Sequence, residues 1–154
     1  MNEPVYATEF AETEELLSSL CQPVRDWFIS KFPDFTRPQK LAIPVIQSRG
    51  HLLLCSPTGS GKTLTAFLSI IDDLVRRAID RNLEKSVHCV YISPIKALAN
   101  DIQRNLIEPL REIKEGYLPS GTQDIVVGLR TGDTSQSDRQ KMLKNPPHIL
   151  ITTP

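Results

Sequence analysis

Apolar residues along the chain fall into two rhythms. Four short runs are almost continuously apolar, at residues 52–55, 87–92, 125–129 and 149–152. Runs of that length, rich in Val, Ile and Leu, predict strands buried on both faces. The segments around them repeat apolar residues every three or four positions, as a helix with one buried face does. Leu64, Phe67, Leu68, Ile71, Leu74, Val75 and Ala78 make the clearest stripe, and Leu98, Ile102, Leu106, Leu110 and Ile113 make a second. Val24, Trp27 and Phe28 share a face over residues 22–31, where core packing suits the two aromatics better than ligand contact.

Start and stop signals set the boundaries. Residues 1–11 read as an extended lead-in, and Thr13 is placed to cap a short helix to about Leu20. Thr36 and Gln39 have capping-box spacing, and Pro38 suits a first turn. The helix they open runs toward Gly50, with a bend expected at Pro44. The polar stretch 76–86 is expected to run out into solvent. Ser93 and Pro94 end the second strand, and a helix follows from about Leu98, kinked at Pro109 and ended by Gly116. Ser135 and Asp138 resemble another capping box, opening a helix to about Leu143, and residues 144–147 read as a turn. Strands alternating with amphipathic helices predict an α/β fold whose sheet is mostly parallel and covered on both faces. Ligands of such folds bind beyond the carboxyl ends of the strands.

The first strand leads into residues 56–63, SPTGSGKT. Gly59 and Gly61 permit backbone angles closed to other residues and keep side chains out of a ligand's way. The loop amides can then face anionic oxygens, helped by the positive end of the following helix. Ser56, Pro57, Thr58, Gly59, Ser60 and Gly61 would form the phosphate cradle. Lys62 would reach the terminal phosphates and the Thr63 hydroxyl a magnesium ion, which makes Lys62 and Thr63 the candidate catalytic pair. The pattern's usual first glycine is here Ser56. The plainer alternative is a glycine-rich turn with a surface lysine.

Composition adds limits. The 154 residues suffice for one α/β domain, and with 18 basic and 18 acidic residues the formal charge is zero, which neither supports nor excludes nucleic-acid binding. An end directly after a strand and an unfinished turn suggests a fragment of an incomplete domain. Cys21, Cys55 and Cys89 have no metal or redox spacing, which favours a reducing, cytoplasmic setting; Cys55 and Cys89 are expected to be buried in strands. The acidic N-terminus is unlike a signal peptide, and no apolar run approaches membrane-spanning length, so no membrane partner is expected.

Three of the four turns after the strands carry Ser or Thr hydroxyls with glycine or a cation: the phosphate loop, residues 93–100 and residues 130–134. Such groups at one sheet edge suit a polyanion backbone. Each also has an ordinary reading: Ser93 or Asn100 as a helix cap, Lys96 as a solvated lysine, and Thr131 to Thr134 as a tight turn.

Taken in order, SPTGSGKT, SPIKALAND, RTGDT and ITTP resemble motifs I, Ia, the TGDT-type motif and Ib of superfamily 2 helicases, and most resemble the large helicase-related DNA helicases. The likeness runs from about Thr36 to Pro154. It implies a RecA-like P-loop NTPase fold, with residues 1–35 as an N-terminal extension and residues 36–154 as the front of the first RecA-like domain. It implies ATP and Mg2+ as cofactors, and Ser56 becomes an expected residue. Thr36 and Gln39 fall on the Q-motif, where Gln39 would read adenine in competition with its capping role; Phe10 is a candidate stacking aromatic. Pro94, Lys96 and Asn100, then Arg130, Thr131, Gly132 and Thr134, then Thr152 and Thr153 would touch the backbone of a tracking strand. Arg130 has a plainer alternative, an ion pair with Asp124 or Asp133. The partner implied is single-stranded or partly duplex DNA, with RNA possible, and movement is 3′ to 5′. The family's Asp–Glu box would lie after Pro154, and a second RecA-like domain elsewhere in the parent chain, so this stretch alone is expected to be inactive. A small P-loop kinase and a non-catalytic nucleotide-binding scaffold remain as other readings.

Overall fold

A computed structural model describes residues 5–94 and 101–154, and the chain divides into two compact units, one running to Asp72 and the other Asp73–Pro154.

The first unit is helical. It contains α1 (Thr13–Ser19), α2 (Gln22–Lys31), α3 (Arg37–Gln47) and the first part of α4 (Lys62–Ile79). The predicted apolar faces form its core, with Val24, Ala42, Ile43, Phe67, Leu68 and Ile71 all 0% exposed. Trp27 and Phe28 are core residues as expected, and Phe28 stacks on Phe35 with ring centroids 4.2 Å apart. Thr13 is not the cap of α1: Glu12 holds that position, and the Thr13 hydroxyl donates to Asp34 Oδ1 at 2.5 Å. Asp34 also accepts from the Lys40 ammonium and the Phe35 amide. The Thr13 hydroxyl first, then Lys40 and Phe35, bring its carboxyl down to about 2.

Pro44 lies inside α3 rather than ending it. A proline has no amide to give the carbonyl one turn back, and that carbonyl, Lys40 O, accepts instead from the Ala11 amide at 3.1 Å. The lead-in is thereby tied to the helix by a bond that α3 cannot make for itself.

Residues 52–55 do not form the expected strand. They join no ladder among the described residues, Leu53 is 88% exposed, and Cys55 is exposed where burial was expected. A strand is defined by hydrogen bonds to a neighbour, and no described segment supplies one here. Apolar content predicts a wish for burial without revealing the partner.

In the second unit, β1 (Cys89–Ile92), β2 (Val127–Arg130) and β3 (Ile149–Thr152) form a parallel sheet in the order β1-β3-β2. Both flanking strands start later than their apolar runs, and His148 is the cause. Its amide and that of Ile149 donate to Val126 O, its Nδ1 accepts from the Val126 amide at 2.9 Å, and its carbonyl accepts from the His88 and Cys89 amides. Gly128 lies under Pro147, whose Cγ would be 2.7 Å from an added Cβ, so only glycine fits that place. One sheet face carries the buried Ile149 and Ile151; on the other, Val90 and Ile92 stay 54% and 61% exposed, so the described residues cover one face rather than both.

The helix before residue 116 passes Pro109 by widening. A π turn (Gln103–Ile107), in which the Glu108 amide reaches Gln103 O, leads into α5 (Glu108–Gly116). Local widening is one of the few ways a helix accommodates such an interruption. Ile102, Leu106, Pro109 and Ile113 are the buried positions, and Leu110 is only half-buried; Leu98 lies outside the described residues. α6 (Gln136–Lys144) is capped by Ser135, which accepts from the Asp138 amide at 3.1 Å. The stretch 76–86 does not simply run into solvent: Leu83 is 5% exposed and its amide donates to Gln123 Oε1 at 3.0 Å.

Candidate functional site

The phosphate loop lies in the first unit. Gly59 and Gly61 have φ of 80° and 87°, the left-handed region that only glycine enters without strain. The helix that follows begins at Lys62, and its first internal bond is donated by the Thr65 amide to Gly61 O at 2.9 Å. Amides before that point have no acceptor within the helix, so the helix start is a donor-rich end. Thr63 sits half-buried in its first turn.

Within the loop, the Lys62 ammonium donates to the carbonyls of Ser56 and Pro57. The Ser56 and Ser60 hydroxyls are 2.6 Å apart, and Ser60 Oγ donates to Pro57 O at 2.8 Å. The loop is thus closed on its own cation. Thr58 and Gly59 form its exposed tip, and an added Cβ on Gly59 would meet nothing within 4 Å. A cation inside a ring of backbone, under an open glycine tip, suits a polyphosphate better than a neutral ligand.

The start of α3 supports this loop. Thr36 and Gln39 form the predicted capping box, with the Thr36 amide donating to Gln39 Oε1 at 2.8 Å. The Thr36 hydroxyl also donates to Ser60 O at 3.0 Å. Gln39 is 3% exposed, and a Cβ on Gly61 would lie 3.1 Å from its Nε2 and 3.4 Å from Thr36 Oγ1. Gln39 is therefore both cap and wall of the loop. Phe10 is 43% exposed, with the Arg37 guanidinium 5.0 Å above its ring.

The second unit brings most of the remaining candidates to one edge. Ile92, Thr152 and Arg130 are level in the register, so Ser93 and Pro94, Thr131 onward, and Thr153 all leave the sheet at the same carboxyl edge. The Ser93 amide donates to Thr152 O at 3.1 Å, tying two of the exits together. Arg130 is the last residue of β2 rather than the first of the turn; among the described residues it pairs with neither Asp133 nor Asp124, and Asp124 pairs with Lys114 at 2.6 Å. Lys96 and Asn100 lie outside the described residues. In the turn, the Thr131 amide donates to Thr134 Oγ1 at 2.8 Å, so the Thr134 hydroxyl closes the turn, and Gly132 is exposed. The Cys89 thiol, on β1, is pushed up by burial.

One contributor was missed from the sequence. Arg139 on α6 donates through Nε to Thr134 O at 3.0 Å and through Nη2 to Thr131 O at 3.2 Å and Gly132 O at 3.0 Å. An arginine one turn into a polar helix looks like a solvated residue, and nothing in its spacing signals three backbone carbonyls.

Comparison with known proteins places this geometry. ATP-dependent helicase Lhr-Core of Saccharolobus solfataricus is 50% identical over 147 residues, which is 96% of this chain and 17% of that protein. Lhr helicase/uracil glycosylase of Escherichia coli is 43% identical over 150 residues, covering 93% of this chain and 10% of that protein. The solved structure of Mycobacterium smegmatis helicase Lhr bound to ssDNA and AMP-PNP superposes with a TM-score of 0.74 at 40% identity, over 89% of this chain and 17% of that one. The chain therefore spans less than a fifth of these relatives' length, and its α/β fold is that of part of a RecA-like helicase domain. The DEAD/DEAH box helicase profile matches residues 36–154, and with the phosphate loop and the strand-end turns inside that span, the chain belongs to the DEAD/DEAH box helicases.

Proposed function

We propose that this chain is the ATP-binding front of the first RecA-like domain of an intracellular ATP-dependent DNA helicase or translocase, with residues 36–154 as that domain and residues 1–35 as an extension. The observation that carries the reading is the phosphate loop: two left-handed glycines and an inward lysine at the start of α4.

In this reading Ser56 to Gly61 cradle the phosphates, Lys62 exchanges its loop carbonyls for the terminal phosphate oxygens, and the Thr63 hydroxyl contributes one ligand to Mg2+. That hydroxyl would be one of several ligands, since Mg2+ keeps waters and is otherwise held by substrate phosphates and carboxylates. Thr36 holds the loop, and Gln39 turns its carboxamide to adenine, with Phe10 as the stacking ring. Pro94, Lys96, Asn100, Arg130, Thr131, Gly132, Thr134, Thr152 and Thr153 grip the backbone of a single strand. DNA is favoured because the 40%-identical relative is described with ssDNA. Hydrolysis also needs a positioned water and a base, which we assign to the rest of the longer protein together with a second RecA-like domain.

The test is strand-stimulated ATP turnover of the full-length protein with Lys62→Ala. Turnover should be nearly abolished while the melting temperature holds. Near-wild-type turnover overturns the reading, and phosphoryl transfer to an acceptor other than water points to a kinase instead.

A further inference from the structure

Arg139 reaches three carbonyls of the turn after β2, those of Thr131, Gly132 and Thr134. A guanidinium presents its donors in a rigid planar fork, so a single side chain can span several acceptors. The effect on the turn is directional. Its carbonyls are drawn back toward α6. The Thr131 amide is used by Thr134 Oγ1, and the Thr134 amide by Thr131 O. The amides of Gly132 and Asp133 enter no hydrogen bond among the described residues, and both residues are exposed. Gly132 has no positive φ, and an added Cβ there would meet nothing within 4 Å, so neither backbone angle nor internal packing calls for glycine. A bare backbone with two unclaimed N–H groups, backed by a cation, is suited to close approach by an anionic oxygen.

We propose that Arg139 is a positioning residue for strand binding: it holds the 131–134 turn so that the Gly132 and Asp133 amides face a phosphate, without touching the phosphate itself. The exposed Asp133 carboxylate at the same turn works against an anion, so the site depends on the carbonyls staying turned away. This inference rests on the reading of the strand-end turns as a nucleic-acid grip, and it adds a residue that the helicase motifs do not contain.

The experiment measures binding of a fluorescent oligothymidylate to the full-length protein at several salt concentrations, for Arg139→Ala and Arg139→Lys. Lysine keeps the charge and the stem but cannot fork across three carbonyls. Both variants should weaken binding by roughly five- to tenfold, the size of losing one or two neutral hydrogen bonds. The slope of log affinity against log salt should not change, because amide donors release no counterions. Nucleotide affinity, measured with a fluorescent ATP analogue, should stay the same and serves as the control for folding. Full rescue by lysine, or a slope reduced by about one, would make Arg139 a direct phosphate ligand and overturn the inference. Unchanged affinity in both variants would make it a purely structural residue, with the same consequence. Arg130→Ala and Gly132→Ala separate the two levels: if they weaken binding while the Arg139 variants do not, only the positioning role falls. If none of the four has an effect, the grip itself is misplaced.

Discussion

The phosphate loop and the 131–134 turn both organise backbone around a cation, and they do it in opposite senses. In the loop the cation comes from within: Lys62 belongs to the motif, and the carbonyls of Ser56 and Pro57 close on it. In the turn the cation comes from behind: Arg139 belongs to the next helix and draws the carbonyls back from the exposed surface. The loop must give up internal bonds to take a ligand, whereas the turn has its donors already set out. On the proposed reading, binding at the first site is therefore coupled to rearrangement, and binding at the second is close to rigid docking. A site of the first kind suits a nucleotide that is bound and released every cycle; a site of the second kind suits a strand held by many small contacts.

The largest test of this difference is Lys62→Met. It should remove nucleotide affinity by roughly a hundredfold, the scale of one strong charge-assisted contact, while leaving the melting temperature unchanged, since the lysine's bonds to the loop carbonyls are partly exposed. A melting temperature that falls with the affinity would mean that the ammonium is structural.

Next in size are the two glycines. Gly61→Ala places a Cβ 3.1 Å from Gln39 Nε2 at a φ of 87°, so it should cost about 1–2 kcal/mol of stability and most of the nucleotide binding. Gly132→Ala meets open space and should leave stability within about 0.5 kcal/mol while weakening strand binding. Chemical denaturation alongside the two binding assays checks both; equal stability losses would erase the contrast between the sites.

A subtler measurement concerns Gln39, whose oxygen is committed to the Thr36 amide. Gln39→Ala should lower the preference for ATP over GTP and also the melting temperature, because cap and reader share one side chain. Loss of stability with nucleotide preference intact would leave it a cap alone.

The smallest effect is a pH dependence at the far end of the sheet. Burial, and then the charge of His88, lower the His148 pKa from 6.5, and its Nδ1 must be unprotonated to accept from the Val126 amide. The folded state thus holds fewer protons than the unfolded one between the lowered value and 6.5. The His148 contribution is fully present above the unfolded pKa and is lost as pH falls through that window. Thermal melts between pH 7.5 and pH 5.5 should show a decline that His148→Asn flattens; an equal decline in the variant would assign it to other groups.

The legible parts of this molecule were those written in neighbouring residues. α2 and β3 have the bounds their patterns gave, the capping box at Thr36 forms, Ser135 caps its helix through the Asp138 amide, and the glycines of SPTGSGKT take the conformations that justify them. Most of what escaped depends on groups far apart in the chain. Residues 52–55 needed a partner strand that periodicity cannot name. The late start of β2 depends on a histidine 22 residues away, Leu83 is held by Gln123 at a separation of 40, and Arg139 binds carbonyls, which every residue has and no pattern marks.

The bond from Ala11 to Lys40 O bears on where this protein tolerates being cut. Pro44 leaves one acceptor inside α3 without its natural donor, and the lead-in supplies the replacement. A fusion junction or trimmed start placed after residue 11 would leave that carbonyl to water, on a helix that also carries Thr36 and Gln39. Tags and linkers belong ahead of Ala11. In hydrogen–deuterium exchange the Ala11 amide should stand out as slow beside the lead-in amides before it, the mark of a segment stitched down by a backbone bond.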